Sequence, residues 1–73
     1  MPRFFFHVRR EGWNLDPVTE VLPEASAALA TARGVARELL ADPDGGWASA
    51  RIEVADERGD LVGVIQMSDY WLQ

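Results

Sequence analysis

Cysteine and lysine are absent from this chain of 73 residues, and histidine occurs only once. Without cysteine the chain can form neither a disulfide framework nor a thiolate metal site. One histidine cannot build a histidine-based zinc site unless several carboxylates contribute. A domain this short buries only about 60% of the surface that its unfolded chain exposes, so its core is thin. Stability therefore has to come from tight packing or from self-association.

Long apolar segments are lacking as well. No stretch approaches the roughly 18 consecutive apolar residues of a membrane span. The first residues contain no apolar segment followed by a small-residue cleavage site, so we expect a cytoplasmic protein that does not associate with membranes. The net charge of −5 disfavours non-specific binding to nucleic acid. All seven basic residues are arginine, and residues 1–10 carry several of them without an acid.

Apolar residues make up 48% of the chain, and their spacing divides it into elements. Residues 3–9 alternate between two faces, which is typical of a half-buried strand. One face carries Phe4, Phe6 and Val8. The other face carries Arg3, Phe5, His7 and Arg9. Residues 13–22 predict a second, irregular strand at an edge of the sheet, because Pro17 interrupts it and proline cannot donate to a ladder.

A helix is predicted next, and Pro23 and Glu24 open it. From Ala25 to Leu40 the apolar residues recur every three or four positions, so they form one stripe along a helix. The proline and glycines of residues 42–46 end it.

Two further strands follow the helix. Residues 51–56 alternate, with Ile52 and Val54 on one face, and residues 57–60 form a hairpin loop. The last strand covers residues 61–67 and is apolar on both sides. On this strand we expect one face to carry Leu61, Ile65 and Met67 and the other Val62 and Val64. Residues 68–73 are predicted to be a tail.

The elements therefore follow the order ββαββ in a single α+β domain, residues 1–73. Both hairpins are local, and the helix is the crossover between them. If the third strand lies beside the first, every neighbouring pair is antiparallel and the sheet order is 2-1-3-4. Placing the fourth strand beside the first would create one parallel pair. We predict the four-stranded antiparallel sheet of order 2-1-3-4, with one helix packed on one face.

The opening residues Met1-Pro-Arg-Phe-Phe-Phe-His-Val-Arg resemble those of a family of small bacterial domains of unknown function. Its members typically open Met-Pro-Arg-(Tyr/Phe)-Phe-Phe-His-(Val/Leu)-Arg. The chain then keeps the family's alanine-rich helix after Leu22-Pro23, and the segment Arg51-Ile52-Glu53-Val54. It departs from the family at Arg10-Glu11-Gly12, where members often have Asp-Gly. The resemblance implies the fold and a cytoplasmic location, and it implies no activity, cofactor or partner.

One helix covers only one face of a four-stranded sheet, so the other face is expected to be open. Bulky apolar residues on such a face, in a domain this small, indicate a surface that a partner covers. The candidate interaction face consists of Arg3, Phe5, His7, Arg9, Arg51, Glu53, Val62 and Val64.

His7 is the only side chain expected to titrate near neutrality. We interpret it as an interface residue that hydrogen-bonds to a carboxylate or a backbone group. The other readings are a ligand or catalytic role and simple exposure, but no serine, cysteine or second histidine is placed to assist catalysis. If no acid such as Glu53 lies near His7, dimerisation should weaken below about pH 6.5.

Two other groups of residues have both a functional and a structural interpretation. Three acids flank Gly59 and could hold a hard cation, but the EF-hand spacing is absent, so we expect a solvated turn. The three tryptophans could stack on a ligand or a base, but we expect Trp13 and Trp47 to close the ends of the core and Trp71 to anchor the tail. Trp13 and Trp71 remain candidate aromatic contacts. No catalytic, cofactor or metal site is predicted.

The leading functional hypothesis is a non-enzymatic interaction module, a homodimer that pairs through the open sheet face or an edge strand. The alternative is a module that binds a small ligand or single-stranded nucleic acid with Arg3, Phe5, His7 and Arg9. An enzyme is the third reading. The feature that discriminates between these hypotheses is what covers Phe5. It could be a second copy of the chain, a concave pocket, or nothing.

Overall fold

The computed structural model of the chain describes residues 2–10, 13–14, 17–42 and 45–71, with the backbone alone for residues 13–14 and 70–71. Its strands are β1 (Arg3–Arg10), β2 (Trp13–Asn14), β3 (Val18–Val21), β4 (Arg51–Ala55) and β5 (Leu61–Gln66). Its helices are α1 (Ala25–Leu40), α2 (Ser68–Trp71) and a one-turn 3-10 helix (Trp47–Ser49). None of the helices in these ranges has the length and apolar character needed to cross a bilayer.

The sheet is antiparallel throughout, and β1 is its central strand. Both β2 and β3 pair with one side of β1, β4 pairs with the other side, and β5 pairs with β4. Because β2 and β3 are the two parts of the predicted second strand, the α+β class and the order 2-1-3-4 are confirmed. The break between them includes Pro17, and residues 15–16 lie outside the described part of the chain.

Helix α1 packs on one face of the sheet through its smallest side chains. Ala28, Ala32 and Ala36 are fully buried, and their spacing of four places them in one row along the helix. Small residues in this row let the helix axis approach the sheet closely. The larger apolar residues of α1 flank the row and are half-buried: Leu29, Val35, Leu39 and Leu40.

The sheet side of the core comes from alternate residues of three strands, as the sequence predicts. The buried residues include both phenylalanines assigned to the core, Phe4 and Phe6, each 4% exposed. The other core residues on the sheet side are Val8, Ile52, Val54 and Ile65 on the strands, and Met67 just after β5. At Gly63 the approach of α1 is so close that an added Cβ would lie 2.7 Å from Cδ2 of Leu29.

A β-bulge between β4 and β5 corrects one sequence prediction. Val54 pairs with Gly63, but the next residue, Ala55, pairs with Leu61, so Val62 is the extra residue. Leu61 is therefore 61% exposed opposite Ala55, whereas Val62 is half-buried and packs against the core. The expected faces of Leu61 and Val62 are wrong, because a strict alternation of two cannot continue through a bulge.

The predicted tail is the second correction. Met67 is fully buried, and its N–H donates to the carbonyl oxygen of Ala50 at 3.2 Å, which extends the pairing of β4 and β5 by one residue. Helix α2 follows directly and packs against α1 and the 3-10 helix. The chain after β5 therefore turns back toward the core. The side chain of Trp71 lies outside the described residues.

Candidate interaction face

The open face of the sheet is the side opposite α1. Strand alternation places on it the residues that lie between the buried ones, and the pairing register aligns them across the strands. From one edge to the other, the open face consists of Val21 and Thr19; Arg3, Phe5, His7 and Arg9; Ala55, Glu53 and Arg51; and Leu61, Val64 and Gln66.

The predicted members of this face are all present except Val62, which the bulge removes. Phe5 and His7 lie on the central strand and are both half-buried. Phe5 pairs with Thr19 on one side and Ala55 on the other, while His7 pairs with Glu53. Because Thr19 and Ala55 are short, they leave part of the Phe5 ring uncovered.

The strongest polar interaction on the open face joins Glu53 to two arginines. Nε of Arg9 donates to Oε1 of Glu53 at 2.6 Å, and Nε of Arg51 donates to Oε2 at 3.0 Å. The hydrogen bond from Arg51 is the largest influence that lowers the pKa of Glu53 from its ordinary value of 4.5. Partial burial opposes this shift, and Arg9 adds to it. Glu53 therefore offsets part of the positive charge of the two arginines, because one carboxylate balances only one of them.

We expect Glu53→Gln to lower the free energy of unfolding at pH 7 by roughly 0.5–1 kcal/mol, the range of solvent-accessible ion pairs. The pKa of Glu53 is lower in the folded state, so this contribution is present above pH 4.5 and is lost as the pH falls through the folded-state value. Urea unfolding of both proteins at pH 7 and at pH 3 measures it. If the free energies of unfolding of the wild type and Glu53→Gln differed equally at the two pH values, an ionic origin would be contradicted.

The side chain of His7 has no hydrogen-bond partner within the described ranges, and both oxygens of the acid opposite it, Glu53, already accept from arginines. Glu53, the acid named in the condition for pH-dependent dimerisation, lies directly opposite His7 in the register of β1 and β4.

Arg10 has a structural role at the end of β1. Its Nη1 donates to the carbonyl oxygens of Gly45, at 2.5 Å, and Gly46, at 3.3 Å, and its guanidinium lies 4.8 Å from the centre of the Trp47 ring. Such cation–π contacts contribute about 0.5–1 kcal/mol at accessible sites. Trp47 is half-buried against the core, so it closes one end of the core as expected. The side chain of Trp13 lies outside the described residues.

The acidic hairpin is organised as a turn. Oδ1 of Asp56 accepts hydrogen bonds from the backbone N–H groups of Arg58 and Asp60, at 2.9 and 3.0 Å. Gly59 has a φ of 85°, a conformation that favours glycine. Within the described part of the chain, no three His, Cys, Asp or Glu residues are grouped to hold a metal ion. The carboxylate of Asp56 therefore stabilises the loop between β4 and β5.

Among the residues whose burial the structure describes, four large apolar ones are exposed, all on the two edges of the sheet, and the sequence predicts only one of them for the open face. Val18 and Val21, on β3, are 60% and 51% exposed, while Leu61 and Val64, on β5, are 61% and 39% exposed. Val18 lies on the helix side, where α1 does not cover β3, and borders a cavity of about 180 Å³ that Glu20 and Val35 also line. The signal for Val18 and Val21 is present in the sequence, as β-branched residues on an edge strand.

In the described part of the chain, the fold is a small α+β domain whose sheet is covered by α1 on one face and open on the other. The chain belongs to the family described as "Domain of unknown function (DUF6894)", whose family model matches residues 3–68. This confirms the resemblance to a small family of unknown function. No curated protein and no solved structure matches the chain.

Proposed function

We propose that this protein is a non-enzymatic interaction module of the bacterial cytoplasm that self-associates as a homodimer through its sheet. The observation that carries the proposal is the position of the exposed apolar side chains. The four large ones found among the described residues all lie on the edge strands β3 and β5. Val21, Leu61 and Val64 lie on the open face, where they form apolar margins on either side of the half-buried Phe5, whereas Val18 lies on the helix side.

Covering these side chains favours association. Each Å² of apolar surface removed from water contributes about 25 cal/mol, and a thin core gives a small domain little stability of its own. A two-fold axis covers the same patch on both copies with one interface. Self-association would therefore bury the exposed apolar side chains that α1 leaves uncovered, with one interface for both copies.

An enzymatic role has less support. Catalysis by His7 would need a nucleophile or a second acid–base group within hydrogen-bond reach. The chain has no cysteine and no second histidine. The acid opposite His7 is Glu53, whose carboxylate oxygens are both engaged by arginines. The same ion pairs weigh against a ligand-binding role, because they leave Arg9 and Arg51 less able to bind an anion.

Sedimentation of the wild type from micromolar to millimolar concentrations tests self-association directly. We expect the mass to rise toward that of a dimer as the concentration increases. Val64→Glu should weaken this association, because it places a charge among the exposed apolar side chains of the open face. Ala30→Glu adds the same charge on the exposed side of α1 and serves as the control. A wild type that remains monomeric at the highest concentration would overturn the proposal.

Nucleic-acid binding is expected to be weak at physiological salt. The arginines of the open face belong to a molecule of net charge −5, and two of them are paired with Glu53. Fluorescence anisotropy with labelled single-stranded RNA and DNA measures the affinity. A sub-micromolar dissociation constant that Arg9→Ala abolishes would favour the ligand-binding alternative instead.

A further inference from the structure

The two edges of the sheet present main-chain hydrogen-bonding groups to solvent. In an antiparallel ladder, hydrogen-bonded and non-hydrogen-bonded pairs alternate. The N–H of Met67 donates to the carbonyl of Ala50, and the register continues through the pair of Arg51 and Gln66. The backbone groups of Val64 and Gln66 therefore point away from β4, at the outer edge of β5.

The opposite edge is arranged in the same way. The N–H of Leu22 donates to the carbonyl of Pro2 at 3.0 Å, and the register places Arg3 opposite Val21 and Phe5 opposite Thr19. By the same alternation, the outward backbone groups of β3 belong to Thr19 and Val21. Each edge thus offers two residues whose N–H and C=O groups could pair with another strand.

The two edges differ in charge. Natural proteins protect edge strands with charged side chains, proline or bulges. Strand β5 carries neither charge nor proline, and its bulge lies at its beginning, before the outward residues. Strand β3 follows Pro17 and carries Glu20 between its outward residues. Of β3 and β5, only β5 lacks charge along its whole length.

We propose that two copies of this chain pair β5 with β5, antiparallel about a two-fold axis perpendicular to the sheet. Val64 of each copy lies opposite Gln66 of the other, and the two Ile65 residues meet at the axis. Each such pair exchanges both main-chain hydrogen bonds, so every outward group of the two residues is satisfied. This pairing rests on the proposed self-association and specifies its interface.

Charge selects this edge over the other. The equivalent pairing of β3 with β3 would place Thr19 opposite Val21 and the two Glu20 side chains directly across from each other, and like charges in that position are destabilising. The pairing of β5 brings together uncharged side chains only.

The bulge selects the register on β5. Moving the axis to Val64 would place Gln66 opposite Val62, the extra residue of the bulge, where the ladder is disrupted. Helix α2, which follows β5, packs back against α1 and the 3-10 helix. The two copies then share one continuous sheet, with both α1 helices on one side and the two open faces joined on the other.

A pair of proline substitutions at matched positions tests the edge. Proline removes the N–H and is tolerated on edge strands where that group faces outward. Val64→Pro acts on β5 and Thr19→Pro on β3, and neither breaks a hydrogen bond within the sheet.

In sedimentation over the concentration series, we expect Val64→Pro to shift dimerisation to at least tenfold higher concentration and Thr19→Pro to behave as the wild type. A dimer lost with Thr19→Pro and kept with Val64→Pro would overturn the β5 pairing while leaving self-association intact. A monomeric wild type would overturn both.

Disulfide trapping tests the register and does not depend on how a proline variant folds. The wild type has no cysteine, so introduced thiols report only on their own positions. Opposed residues of a hydrogen-bonded pair have Cα atoms about 5.5 Å apart, which a disulfide can span. An equal mixture of Val64→Cys and Gln66→Cys should oxidise chiefly to the mixed dimer, as read by mass spectrometry. Symmetric dimers in statistical or greater amounts would contradict the register.

Discussion

Phe6→Ala is expected to lower the free energy of unfolding by about 3–5 kcal/mol, as for other buried aromatic residues. The Phe6 side chain is 4% exposed and lies in the core beneath α1, so its removal leaves a cavity that the surrounding strands cannot close. Small domains have only a few kcal/mol of stability, so this variant can be largely unfolded at room temperature. Urea unfolding followed by circular dichroism measures the loss.

Phe5→Ala is the matched control, because Phe5 is the neighbouring residue on the opposite face of β1. It is half-buried, and its truncation should leave the monomer folded with a clearly smaller loss. Equal losses for the two variants at low protein concentration would contradict the facing of β1.

Ala32→Leu is expected to destabilise the domain by about 1–3 kcal/mol through overpacking. Ala32 is fully buried in the middle of the alanine row that α1 presents to the sheet. A leucine there would have to push the helix away from the backbone of the sheet, which separates the flanking apolar residues as well. Thermal unfolding gives the change as a lower midpoint temperature.

Ala30→Leu is the control for Ala32→Leu, since Ala30 belongs to the same helix and is exposed. Leucine and alanine both have high helix propensity, so this substitution should change stability little. If the two leucine variants had the same stability, the close approach of α1 to the sheet would be contradicted.

The periodic parts of the chain are predictable because periodicity reflects local geometry. The alternation in residues 3–9 assigns Phe4 and Phe6 to the core, and the structure places both there. The apolar stripe predicts α1, which begins at Ala25, just after the predicted opening residues Pro23 and Glu24, and ends at Leu40. The strand order follows from two local hairpins joined by one helical crossover, which leaves few arrangements to consider.

The irregular parts are not predictable from periodicity. A bulge inserts one residue without any change in composition, so Val62 and Leu61 exchange their expected faces. The close contact at position 63, where an added Cβ would lie 2.7 Å from Cδ2 of Leu29, depends on where that side chain of α1 comes to lie. The short helix α2 is stabilised by packing against α1 and the 3-10 helix, which lie distant in sequence, and its four residues are too few for a helix on propensity alone.

Composition and pattern thus determined the fold class, the strand order, the facing of β1 and the existence of an open face, because each depends on short-range spacing and on the covering capacity of one helix. The tertiary structure decided which side chains of the open face contact one another. Glu53 lies 44 residues from Arg9 in the chain, and only the register of β1 and β4 brings their side chains together. The same holds for the sheet edges, whose outward hydrogen-bonding groups follow from the pairing of each strand with its neighbour and not from the identity of any residue.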